Sequence, residues 1–202
     1  PDVVVKLRAL WTLYCIGATN QDFLRAQLSH ENENIRTWAI RLLTDTWPID
    51  TVMSQRPARA EVAPDPAILE DLIQMARADR SALVRLALAS VLQRLALERR
   101  EALASALVAR QEDAGDHNLP LLIWYGLIPL AEKDAAGLAR IAAACELPAT
   151  RRLIARRLVE ILELDSLPVR SLLAEAVRKS PEFQGDIVVG LADGLRGLRK
   201  AR

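Results

Sequence analysis

The stretch HENENIRTWAIRLLTD, residues His30 to Asp45, sets Arg36, Trp38 and Arg41 into what otherwise reads as a buried helix. Either these side chains touch something outside the protein, such as a nucleic-acid backbone, or they belong to a repeated helical scaffold that touches itself. Aligning the steps in which an apolar residue precedes an arginine separates the two. Leu7-Arg8, Ile35-Arg36 and Val84-Arg85 fall into register, with a weaker Thr150-Arg151. Eight residues after the first member of each pair stand Cys15, Leu43, Leu92 and Leu158, all apolar. Eight residues is just over two helical turns, so both ends share a face. Amphipathic segments that end in polar turns precede these helices, as in NQDFLRAQLSHENEN before Ile35 and PDPAILEDLIQMARADRSA before Val84. The unit is helix, turn, helix. Neither helix buries its apolar stripe alone, so the units must stack. The expected fold is all-α: an α-solenoid, a right-handed superhelix of antiparallel helix pairs.

Composition agrees. Of 202 residues 51% are apolar and only 4% aromatic, whereas strands favour β-branched and aromatic residues. Lys and Arg total 27 against 26 Asp and Glu, a formal charge of +1. So balanced a chain has no overall field to draw it onto a polyanion, and neither nucleic-acid binding nor a transmembrane segment is expected. Cys15 and Cys145 are too few for a disulfide framework or a metal knuckle, and both read as buried free thiols.

The pattern predicts helices over Val3–Gly17, Gln21–Ser29, Asn32–Thr46, Pro66–Ala78, Ser81–Leu95 and Glu98–Arg110. They continue over Pro120–Lys133, Ala135–Cys145, Ala149–Leu164, Pro168–Ser180 and Glu182–Lys200. Pro66, Pro120 and Pro168 suit a first turn, and Asn118 and Ser81 read as N-caps. A proline-bearing insertion, Pro48 to Asp65, and a polar loop, Gln111 to Asn118, break the rhythm. The first helix lacks a partner and the chain starts without Met, so residues 1–202 read as one repeat domain cut from a longer chain.

Arg36, Arg85 and Arg151 recur at one place, just inside the second helix of a unit. They are either a ladder for phosphates or bridges across the inter-helix turn, and recurrence beside core residues favours bridges. Trp11, Trp38, Trp47 and Trp124 lie in apolar runs and read as core, each indole N–H with a partner. RRLIARR places Arg151, Arg152, Arg156 and Arg157 on one helix, with Glu160 and Glu163 at pairing distance. It is an ion-paired solvent face or a docking patch. EDAGDH, Glu112 to His117, reads as a solvated loop rather than a metal site. The positions to watch for partner contact are Arg151, Arg152, Arg156, Arg157, His117 and Trp124. No HExxH, CxxC, phosphate loop or GxSxG is present, so no catalytic residue, cofactor-binding residue or metal ligand is expected.

Helix pairs carrying IRTWAIRLL and VRLALASVLQRL resemble HEAT repeats of the HEAT/armadillo class. In order, LRALWTLYCIG, HENENIRTWAIRLLTD, SALVRLALASVLQRL, DHNLPLLIWYGLIPLAEKD, RRLIARRL and GLADGLRGLRK are similar to the HEAT segment of planctomycete and verrucomicrobial membrane-bound dehydrogenase-like, haem-binding proteins. The block Asp116 to Leu130 is the most specific piece. That resemblance implies a chain with an export signal, a β-propeller and a cytochrome c-like CxxCH domain, hence an extracytoplasmic or periplasmic place. It carries over no catalytic residue, and haem c would lie elsewhere in the parent chain. The implied role is a non-catalytic spacer contacting neighbouring domains or another protein, and a monomer when isolated. An independent peptide-binding module and a HEAT-like nucleic-acid glycosylase using Arg151 to Arg157, Trp124 and Asp116 are the alternatives.

Overall fold

In the computed structural model, which describes residues 2–50 and 64–196, every regular element is helical. The α-helices are α1 (Val3–Cys15), α2 (Gln21–Ala26), α3 (Glu33–Leu43), α4 (Pro66–Ala78), α5 (Ala82–Val91) and α6 (Arg100–Val108). They continue as α7 (Leu119–Leu127), α8 (Leu130–Lys133), α9 (Ala135–Ala143), α10 (Pro148–Glu160), α11 (Leu167–Ala176) and α12 (Pro181–Leu195).

Local chemistry explains the starts. Side chains of Asp2, Asn20, Asn32, Asp65, Ser81, Asp134 and Ser180 accept first-turn N–H groups. Those donors lack intrahelical partners. Pro66, Pro120, Pro148, Pro168 and Pro181 stand where a missing N–H costs nothing. Asn118 precedes α7 but does not cap it with its side chain. Asp116 does so instead, accepting from the N–H groups of Asn118 and Leu119 at 2.8 Å each.

The one helix expected over Pro120–Lys133 is two, α7 and α8, because Pro129 between them has no N–H to continue the ladder. Several ends are tighter than expected: α2 and α5 finish in 3-10 turns, Gln27–Ser29 and Leu92–Arg94. Helix α10 stops at Glu160 and α12 at Leu195. Most of the insertion between Pro48 and Asp65 and the basic tail beyond Arg196 lie outside the described residues.

Packing divides most of the helices into two sets. In one, α1 lies on α3, α3 on α5, α5 on α7, α7 on α10 and α10 on α12. In the other, α4 lies on α6, α6 on α9 and α9 on α11. Each member of the second set also touches the helix that follows its unit turn, as α4 does α5 and α11 does α12. One cluster of buried side chains runs from Leu10 to Ile187. Its fully enclosed members include Ile40, Leu72, Leu88, Leu103, Ile123 and Ile154. Each contributes about 1.5–3 kcal/mol by leaving water.

Two glycines bring α12 against α10. A Cβ on Gly190 would collide with the carbonyl of Arg152 and with Ala155, and one on Gly194 with Val159 and the carbonyl of Arg156. Larger residues at either place would push the helices apart.

Candidate functional site

The recurring arginines occupy one helical position. Arg36, Arg85 and Arg151 are each the fourth residue of their helices, α3, α5 and α10. From there a guanidinium turns back to the chain entering its own helix. Arg36 donates to the carbonyls of His30 and Glu31 at 2.9 and 3.0 Å, and Arg85 to that of Asp79 at 2.8 Å. Arg151 donates to that of Cys145 at 2.9 Å. The other side of the fork reaches the following unit. Arg36 meets Asp79 at 2.7 and 2.9 Å, and Arg85 meets Asp113 at 2.5 Å through both nitrogens. Arg151 meets Asp186 at 2.5 Å and lies over the Phe183 ring, 4.1 Å from its centroid.

Asp79 therefore joins two rungs, its carboxylate held by Arg36 and its carbonyl by Arg85. Bidentate pairing of this kind requires arginine, since lysine offers only a point charge. In α1 the fourth residue is Lys6, not Arg8, and Lys6 reaches Glu31 at 3.9 Å, while Arg8 is exposed. The register read from Leu7-Arg8 is thus corrected by two residues. Helix α7 has Leu122 at this place, and α12 has Gln184, which donates to the carbonyls of Val177 and Lys179 at 3.4 and 3.0 Å.

A separate buried arginine escaped the sequence reading. Arg100, completely enclosed, donates to the carbonyls of Leu95 and Gly126 at 3.0 and 2.6 Å and to Asp50 at 2.5 Å. Together with Arg94, which donates to the carbonyl of Trp47 at 2.7 Å, it ties the stretch after α3 to the core. No local pattern marks Arg100, because its partners come from three separate parts of the chain.

The tryptophans pack inward as expected. Trp47 is buried, and Trp124 is half-buried against the core. Trp11 and Trp38 meet edge to face with centroids 4.8 Å apart, and the Arg41 guanidinium sits 5.1 Å from the Trp38 centroid. The Trp11 indole N–H is buried with no acceptor among the described residues.

The partner-contact positions divide. Arg151 is buried and its donors are engaged within the fold, so it presents nothing outward. Arg152 and Arg156 are half exposed, at 53% and 55% of their side chains. The first bonds Asp186 at 2.7 Å and the second pairs with Glu160 at 3.4 Å. Arg157 bridges Glu132 and Glu160, each at 2.9 Å. His117 is exposed. The structure adds two residues that sequence reasoning missed, Leu121 and Tyr125. They stand one turn apart on α7, the neighbour of α10, and are 41% and 45% exposed.

The EDAGDH loop is not simply solvated, because Asp113 is buried by its pairing with Arg85. Asp116 is held below the usual carboxylate range by the N–H of Leu119, then that of Asn118. Among the described residues no group of His, Cys, Asp and Glu is arranged to hold a metal, and no helix is long and apolar enough to cross a membrane. Cys145 is buried, and that burial pushes its thiol up to about 12. Cys15 is exposed, against the expectation of burial; it is the last residue of α1, a helix in which only Leu10 is buried. Compared with family models, curated proteins and solved structures, the chain matches none of them.

Proposed function

We propose that this chain is a HEAT-type α-solenoid that works as a non-catalytic scaffold, its helix pairs stacked as a right-handed superhelix. The observation that carries the reading is the repeated rung: arginines at the fourth position of successive helices bond the fold's own carbonyls and carboxylates. Side chains spent in this way set the spacing between neighbouring units and leave no phosphate-binding ladder.

The resemblance in the sequence supplies the place of the scaffold. It is a spacer between a propeller dehydrogenase-like domain and a cytochrome c-like haem domain in an exported redox protein. Sequencing the encoding gene beyond both ends tests this. A propeller on one side and CxxCH on the other are expected. A reading frame opening just before Pro1 and closing just after Arg202 would overturn the spacer role.

A second reading, an independent protein-binding module, is favoured by one observation. Leu121 and Tyr125 expose an apolar pair on α7 while the adjoining α10 exposes Arg152 and Arg156. Exposed aromatic and arginine side chains are the commonest anchors of protein interfaces.

A further inference from the structure

Between α1 and α2 a cavity of about 300 Å³ opens at the surface. Its enclosed lining is Leu10 of α1 and Ile35 of α3, both buried. The rest of its apolar lining is in water. Leu13 of α1 is 37% exposed and Phe23 of α2 is 40% exposed. Ala9, also exposed, stands one turn before Leu13. Single apolar residues at a surface need no explanation, but these three converge on one hollow from two helices. An apolar group entering here covers side chains that the fold itself leaves wet.

The polar edge of the cavity is mismatched. It is formed by Lys6, Gln27 and His30. Gln27 is satisfied, since its amide nitrogen donates to the carbonyl of Phe23 at 3.3 Å. His30 accepts the backbone N–H of Asn32 at Nδ1, 2.9 Å away. An imidazolium accepts nothing, so this ring is neutral and carries its hydrogen on Nε2. Yet Nε2 lies 3.5 Å from the Lys6 ammonium, which is itself only a donor. Two donors thus face each other. The Glu31 carboxylate is 3.9 Å from Lys6, beyond hydrogen-bond reach, and its side chain is 87% exposed to water. Among the described residues neither donor has an acceptor within hydrogen-bond distance.

We propose that this cavity binds a small carboxylate with an aliphatic tail. Its oxygens accept from the Lys6 ammonium and the His30 Nε2–H, and its tail lies against Leu13 and Phe23. An ionised carboxylate only accepts, so it resolves the facing donors, and its charge-assisted bonds are stronger than neutral ones. An amine would add a second cation instead, and an alcohol would bring no charge. The volume is at the low end for small-molecule sites, which suits a chain of about eight carbons. The site needs only α1, α2 and the start of α3, so it stands apart from the solenoid reading.

The test titrates octanoate into the isotope-labelled whole chain and follows backbone amides by NMR. Saturable shifts are expected at Ala9, Leu13, Phe23 and Asn32, with a Kd on the order of 0.1–1 mM for a ligand of about ten heavy atoms. Octanol and octylamine should bind at least roughly tenfold more weakly, as loss of a charge-assisted bond implies. Lys6→Met keeps the stem but removes the ammonium, and should weaken octanoate by roughly the same factor while leaving octanol unchanged. Ala9→Trp, at an exposed position, should fill the cavity and abolish binding of both. Circular dichroism checks that the two variants remain folded. Absence of saturable shifts around the cavity would overturn the proposal. So would octylamine or octanol binding as tightly as octanoate, or octanoate binding indifferent to both substitutions.

Discussion

Arg36 and Asp79, 43 residues apart in sequence, meet through two side-by-side hydrogen bonds, Nε to Oδ2 at 2.7 Å and Nη2 to Oδ1 at 2.9 Å. Asp79 also accepts the N–H of Ser81 at 2.9 Å, so its carboxylate organises the start of α5 while clamping α3. Burial by itself raises the carboxyl's pKa, but the Arg36 fork and the Ser81 N–H outweigh it and hold Asp79 below its ordinary range.

Breaking this pair from one side should be costly. With side chains only 16% and 8% exposed, Asp79→Ala leaves a partly buried guanidinium facing nothing. A loss of about 2–4 kcal/mol is expected in urea unfolding, somewhat below that for a fully buried pair. Replacing both partners, Arg36→Met with Asp79→Leu, should recover part of that loss. The pH dependence has a defined sign. Because folding lowers the pKa of Asp79, its contribution is complete above the unfolded value of about 3.9 and disappears as pH falls through the lower folded value. Stability measured from pH 7 down to pH 3 should therefore fall less steeply in Asp79→Asn than in the parent.

Glycines on α12 should respond in opposite directions. At Gly190 a Cβ meets the Arg152 carbonyl and Ala155, so Gly190→Ala should destabilise by about 1–3 kcal/mol through overpacking. At Gly185 nothing lies within 4 Å, and Gly185→Ala should stabilise by about 0.4–1 kcal/mol by restricting the unfolded chain. Thermal unfolding of the two variants reads both signs, and equal effects would contradict the close approach of α12 to α10.

The two thiols should separate cleanly under a thiol reagent such as Ellman's. Cys15 is exposed and should react in the folded protein. Cys145, buried and with its pKa pushed up to about 12, should react only after denaturation. Prompt labelling of both in native buffer would show that the α9–α10 region opens readily.

Shape is measurable as well. A compact chain of this length has a radius of gyration of about 17 Å. A stacked array is extended, so small-angle scattering should return a larger value, with an elongated pair-distance profile. A value at the compact limit would count against the solenoid.

Leu121→Ala with Tyr125→Ala removes only half-exposed surface, and stability should change by less than about 1 kcal/mol. If this face is an interface, the pair should weaken capture of any identified partner by tenfold or more, as loss of an anchor does. Pull-down of that partner with the double variant is the check.

Local sequence determined a great deal. Apolar residues at helical spacing, caps such as Ser81, and prolines in first turns specify helices without reference to distant residues, because each acts within a turn or two. The recurrence of Arg36, Arg85 and Arg151 was legible for the same reason, and so was the expectation that they bridge within the fold. What each arginine holds was not. Asp79, Asp113 and Asp186 lie 43, 28 and 35 residues away, with no constant offset, because loops and the extra helix α8 alter the spacing between units. Lys6 stands in for the first rung, and α7 has none, so no register read along the chain alone identifies the set. Arg100 and the exposed pair Leu121 and Tyr125 make the same point from opposite sides: a charge is enclosed and apolar groups are not. Burial is a property of neighbours brought together by stacking, and only the tertiary structure decides which those are.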